Sequence, residues 1–160
     1  MRAEVLLFKG MTALREGRPD EAYEYFEKAT QDAGTSALAM AWMGHIKSSY
    51  FRSDAEAEEL FKASMDKDAT LADTYLFYAE LLFRHERFAE MNAVINKASV
   101  ISGVARDKVN HLHGLLSEAQ GRFDEAISFY KKAILTCFDN TLLSVYESAI
   151  NRCMVKQKYV

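Results

Sequence analysis

The chain has 160 residues, 49% of them hydrophobic, with one proline, two cysteines and a formal net charge of −3. That is enough apolar material for a substantial core, while no run reaches the roughly 18 apolar residues of a membrane-spanning helix. The negative balance argues against a nucleic-acid or membrane-surface role, and two isolated thiols fit reduced cysteines in a cytoplasmic protein.

The chain opens on a helical segment from Ala3, with Gly10 at its middle. Its apolar run, Val5-Leu-Leu-Phe8, is too short for a signal-peptide core. Glu16-Gly-Arg-Pro-Asp20 reads as a turn, with proline at a first-turn position that a helix tolerates. A second helix follows in Asp20-Glu-Ala-Tyr-Glu-Tyr-Phe-Glu-Lys-Ala29. This plan then recurs. Ala55-Glu-Ala-Glu-Glu-Leu-Phe-Lys-Ala-Ser64, Ala89-Glu-Met-Asn-Ala-Val-Ile-Asn-Lys-Ala98 and Asp124-Glu-Ala-Ile-Ser-Phe-Tyr-Lys-Lys-Ala133 align with the first stretch. Their large residues Phe26, Phe61, Ile95 and Tyr130 stand 35, 34 and 35 apart. A period of this size means one unit repeated and stacked.

Within each unit the second helix carries small, large and small residues at spacings of four and three: Ala22/Phe26/Ala29, Ala57/Phe61/Ser64, Met91/Ile95/Ala98 and Ala126/Tyr130/Ala133. Those spacings share one helical face. The first helix of each unit has a small residue near its middle, Gly10, Gly44, Ala79 or Gly114. Glycine inside a helix costs roughly 1 kcal/mol against alanine, so three in register predict close helix contact. Turns are expected at Arg52-Ser-Asp54, with Ser53 or Asp54 as a cap, at His85-Glu-Arg-Phe88, and at Gln120-Gly-Arg-Phe123. Asn140 to Lys156 reads as a ninth helix, started by Asp139 or Asn140, that covers the apolar end of the stack. Its outer side, with Tyr146, is an alternative contact for a second copy. Cys137 and Cys153 fall several turns apart and are not expected to bridge.

These residues resemble the tetratricopeptide repeat family over about residues 2–138. The carriers are the small–large–small stripe, the small residue in the first helix, and the turn glycines of the first and fourth units. The resemblance implies an all-α, right-handed superhelical α-solenoid of antiparallel helix pairs, with about nine helices. One domain over 1–160 is expected, with repeats at 3–34, 37–69, 72–103 and 107–138 and a capping helix at 140–156. The chain also departs from the family. No repeat ends in the usual proline. The second repeat has one extra residue between its helices, and another lies near Ser102-Gly103. Lys9 and His113 stand where leucine is usual, which allows a local displacement of the stack.

No catalytic constellation is visible, so no enzyme activity, cofactor or metal is expected. His111 and His113 are two apart and point about 200° from each other on a helix. The charge-rich second helices read as solvated faces, and so does the basic excess of Lys131, Lys132, Arg152, Lys156 and Lys158.

In this family the first helices line the concave side, the usual ligand groove. Carried onto this chain, the resemblance implies a partner-binding face made of Leu7, Met11, Leu14, Arg15, His45, Ser48, Asp73, Leu76, Glu80, Phe83, Arg84, Lys108, His111 and Leu115. The mixture of apolar strip and polar anchors suits a helix or extended peptide of a partner protein. The carboxylate clamp of chaperone cofactors in this family needs lysine, asparagine and arginine. Leu7, Met11, Met43, Asp73 and Phe77 occupy those places, so that clamp is not expected. Two other readings compete with a peptide-binding adaptor: a self-assembling homo-oligomer subunit, and a secretion-type chaperone, whose N-terminal extension is not seen here.

Overall fold

The computed structural model describes residues 2–160. Among them nine α-helices follow one another without a strand: α1 (Ala3–Arg15), α2 (Pro19–Ala29), α3 (Ala33–Ser49), α4 (Asp54–Lys67), α5 (Ala72–Arg84), α6 (Phe88–Ser99), α7 (Arg106–Ala119), α8 (Phe123–Thr136) and α9 (Asn140–Lys156). A final 3-10 turn covers Gln157–Tyr159. The all-α arrangement of helix pairs expected from the repeat is present. The chain forms two compact units, Met1–Leu81 and Leu82–Val160, with the division inside α5.

In the first unit α1 pairs with α2 and α3 with α4. The stripe of small and large residues is the reason. Ala22, Phe26 and Ala29 are fully buried, as are Ala57, Phe61 and Ser64. Each ring lies over the glycine of the preceding helix. A methyl group added to Gly10 would sit 2.7 Å from the Phe26 ring, and one added to Gly44 would sit 2.6 Å from Phe61. The glycines are there for the close approach, as their register predicts. Burying an aromatic side chain of this size is worth roughly 1.5–3 kcal/mol, more than the helix propensity that glycine forfeits. The core around them gathers Leu6, Ala13, Ala39, Met43 and Ile46. Ser64 joins α4 to α5 through a 2.8 Å hydrogen bond with Thr74 and donates to the Ala37 carbonyl at 2.7 Å.

In the second unit α7 pairs with α8, and α8 with α9. Gly114 meets Tyr130 even more tightly than its counterparts meet phenylalanine. Tyr130 is fully buried, and Ala126, Ala149 and Cys153 pack with it. The inward stripe of α9 is Tyr146, Ala149 and Cys153, whereas Val145 and Met154 face outward. Tyr146 is therefore an interior residue and not an outer contact. Its hydroxyl donates to Asp107 on α7 at 2.9 Å. Cys137 and Cys153 are both free thiols, the first half-buried and the second buried.

The turns repeat as faithfully as the helices. Gly17, Arg52, Glu86 and Gly121 stand at equivalent positions, and all four have positive φ. Glycine takes this conformation freely, while Arg52 and Glu86 adopt it at a steric cost. An arginine precedes α2, α6 and α8 and pairs with the glutamate three residues on: Arg18 with Glu21, Arg87 with Glu90, Arg122 with Glu125. In the second repeat Ser53 holds that place without a side-chain cap bond, and Glu56 pairs with Lys47 of α3 at 2.5 Å. Asp139 caps α9 by accepting from the amides of Thr141 and Leu142. At Lys9 and His113 the glycine–ring register is kept. The Lys9 ammonium lies over Tyr25, and the His113 ring stacks on Phe129 at 4.9 Å. Each stands beside the residue that precedes the large aromatic of its own repeat.

Candidate functional site

In the first unit the first-helix residues divide by depth. Leu7, Met11 and Leu14 are half-buried and pack on the core of α1–α3 while keeping part of their surface open. Arg15 and Glu80 are exposed, and Asp73 is half-buried. Ser48 and Leu76 lie in the interior, at 5% exposure each, so neither presents a side chain to a partner. The reason for Leu76 is local: α5 is apolar over most of its circumference, and Tyr75, Tyr78, Ala79, Leu81 and Leu82 are buried with it.

His45 belongs to an aromatic cluster that the expected residues only touch. Its ring stacks on Phe77 at 4.5 Å and meets the edge of Trp42 at 5.8 Å, and Trp42 packs on Phe77 at 5.0 Å. Trp42 also stacks on Phe26, which ties this half-buried surface to the core. Trp42 is the only tryptophan in the chain and stands three residues before the expected groove residue His45, a signal that points here.

In the second unit Phe83 and Leu115 are brought together. With Glu118 and Ala119 they line an open cleft of about 390 Å³, and Arg152 and Lys156 of α9 complete it. Glu118 is its hub. Its carboxylate accepts from Arg152 Nε and Nη2 at 2.6 Å each, from Lys156 Nζ at 2.8 Å and from the Tyr130 hydroxyl at 2.8 Å. Burial alone would push the Glu118 carboxyl upward, but the hydrogen bonds from Arg152, Lys156 and Tyr130 outweigh it and bring it down to about 2. Glu118 is thus an anion at any ordinary pH. Burial and the bond to Glu118 raise the Tyr130 phenol well above its usual range.

The other expected residues lie around this cleft. Lys108 and Arg84 are exposed. His111 is half-buried between the rings of Tyr146, at 5.0 Å, and Tyr130, at 5.9 Å. Its burial and the nearby Arg152 charge lower it to about 4, against the opposing pull of Asp107 and Glu118. The imidazole is neutral at pH 7 and acts as packing rather than as a cationic anchor. A second cleft of about 370 Å³ opens among α6, α7 and α8, lined in part by Phe88, His113, Arg122, Glu125 and Phe129. It lies beside the surface arginine–glutamate pairs and holds none of the expected first-helix residues. Among the described residues no three His, Cys, Asp or Glu side chains gather as a metal site would require. Nor is any helix of the described residues long and apolar enough to cross a membrane.

The family model for the tetratricopeptide repeat matches residues 3–31 and 107–140, the segments that hold the Gly10–Phe26 and Gly114–Tyr130 contacts. Both segments are similar to the tetratricopeptide repeat, and the described helices have the fold of such proteins. No curated protein matches the chain. Among solved structures, Pseudomonas aeruginosa pilF superposes with a TM-score of 0.83 at 18% identity, over 98% of this chain and 69% of that one. A double mutant of RS-1 MamA gives a TM-score of 0.63 at 14% identity, over 99% of this chain and 97% of that one. A thermophilic tetratricopeptide repeat protein of Thermus thermophilus gives 0.57 at 16% identity, over 93% and 99%. Identities this low speak to the fold alone.

Two side chains of the cleft beside Phe83 come from outside the first helices. Arg152 and Lys156 sit on the capping helix, four residues apart, and so emerge on one face. Composition had marked them only as part of a basic excess. Their convergence on Glu118 depends on where α9 packs against α7, which periodicity within a helix does not encode.

Proposed function

We propose that this protein is a non-catalytic adaptor that holds a segment of a partner protein against its first helices. The observation that carries this reading is the cleft beside Phe83. It is open, about 390 Å³ in volume, and combines the apolar Phe83 and Leu115 with charged side chains. Pockets of this size and mixture suit a few anchoring side chains of a peptide or helix. In the first unit the half-buried Leu7, Met11 and Leu14, with the Trp42–His45–Phe77 cluster, offer a second apolar stretch on first helices.

Leu76 is interior and therefore unsuited to testing this reading; Phe83 and Leu14 are better placed. Affinity purification of the protein from its native cells, followed by mass spectrometry, is expected to recover partners that Phe83→Glu and Leu14→Glu together lose. Circular dichroism should show unchanged helicity. Retention of every partner by the double variant would sink the groove reading.

A second reading, assembly with copies of itself, draws on the outward face of α9. Val145, Met154 and Val155 are 44%, 45% and 53% exposed there. Light scattering over a concentration series separates the two: a defined oligomer favours assembly, and a persistent monomer excludes it.

A further inference from the structure

Arg152 and Lys156 are not simply neutralised by Glu118. The Glu118 side chain is 6% exposed, whereas those of Arg152 and Lys156 are 45% and 48% exposed. The negative charge lies inside and both positive charges face the cleft mouth. Two cations against one carboxylate leave a net positive charge. The donors are also unevenly used. Glu118 takes Nε and Nη2 of Arg152 and one ammonium proton of Lys156, and Tyr130 supplies a further bond. Nη1 of Arg152 and the rest of the ammonium group meet no acceptor among the described residues. One edge of the guanidinium is thus held rigid by Glu118, and the other remains available in the fork geometry that matches a carboxylate.

We propose that this cleft anchors a protein segment bearing an Asp or Glu side chain beside a large apolar one. The carboxylate meets the outward N–H groups of Arg152 and Lys156, and the apolar side chain lies on Phe83 and Leu115. The proposal rests on the reading of the first-helix face as a partner-binding surface and gives its occupant a chemistry. Charge complementarity requires an acid. The apolar walls and a single net charge favour a protein carboxylate over a phosphate backbone, whose affinity comes from many cations acting together.

The test is selection of a displayed library of random peptides of about 12 residues on the full chain, followed by binding of the selected peptides as synthetic probes. Enriched sequences should pair Asp or Glu with Leu, Phe or Met. Replacing the acid by its amide should weaken binding about tenfold, and raising the salt should weaken it further. In the triple variant Glu118→Gln/Arg152→Gln/Lys156→Gln, which keeps hydrogen-bonding groups and removes the charges, the preference for acid over amide should vanish. Glu118→Gln alone keeps both cations and should bind the acidic probe more tightly; it decides the matter if the triple variant does not fold. Apolar peptides enriched without an acid, or an acid preference that survives in the triple variant, would overturn the proposal and leave the groove reading standing. A library that yields no binder would overturn both.

Discussion

Gly114 shows how much of this fold turns on one missing methyl group. Tyr130 is fully buried and its hydroxyl is held by Glu118 at 2.8 Å, so the ring has nowhere to swing. Gly114→Ala would gain about 1 kcal/mol of helix propensity, yet overpacking a fixed ring costs about 1–3 kcal/mol. We expect a net loss of up to about 2 kcal/mol in urea unfolding. Equal or higher stability of Gly114→Ala would refute the steric account. This contact was legible before the structure, because glycine recurs in step with the aromatic residues. The depth of Leu76 was not: a repeat places a residue on a face, but the number of neighbours closing over that face is a tertiary property.

Helix α9 has its own electrostatic signature, written where it meets α7 and α8. His111 lies against Tyr146 of α9, and Glu118 is bound by Arg152 and Lys156 of the same helix. Both titrating groups are held below their ordinary values of 6.5 and 4.5, at about 4 and about 2. As pH falls from 6.5 the unfolded chain protonates His111 while the folded chain does not, so stability drops until about pH 4. Glu118 acts likewise in the next window, its contribution complete above 4.5 and lost towards pH 2. His111→Gln should therefore flatten the stability profile between pH 6.5 and 4, by up to about 1.4 kcal/mol per pH unit, and leave the lower window unchanged. Urea midpoints across that range provide the measurement, and parallel profiles for the two proteins would rule the assignment out. The helix itself was readable from its apolar recurrence. Its charged partners were not, since Glu118 and Arg152 are 34 residues apart and no local pattern joins them.

Taken as a whole molecule, a stack of repeats contacts mainly its nearest neighbours, and such proteins open piecewise from their ends. The chain's period, its turns with positive φ and its last helix all follow from that plan. Cys153 allows the terminal step to be followed directly. Its thiol is fully buried against Tyr130 and Ala149, and burial, with the nearby Glu118 charge, pushes it up to about 11. While α9 is docked it is both shielded and protonated, and so inert towards disulfide reagents. Cys137, half-buried at the end of α8, provides an internal reference. The chain thus carries a chemical clock for its own end: the slow phase of thiol labelling reports how often α9 lifts away. If it does so independently, that phase will hardly respond to low urea, whereas labelling through global unfolding would accelerate steeply.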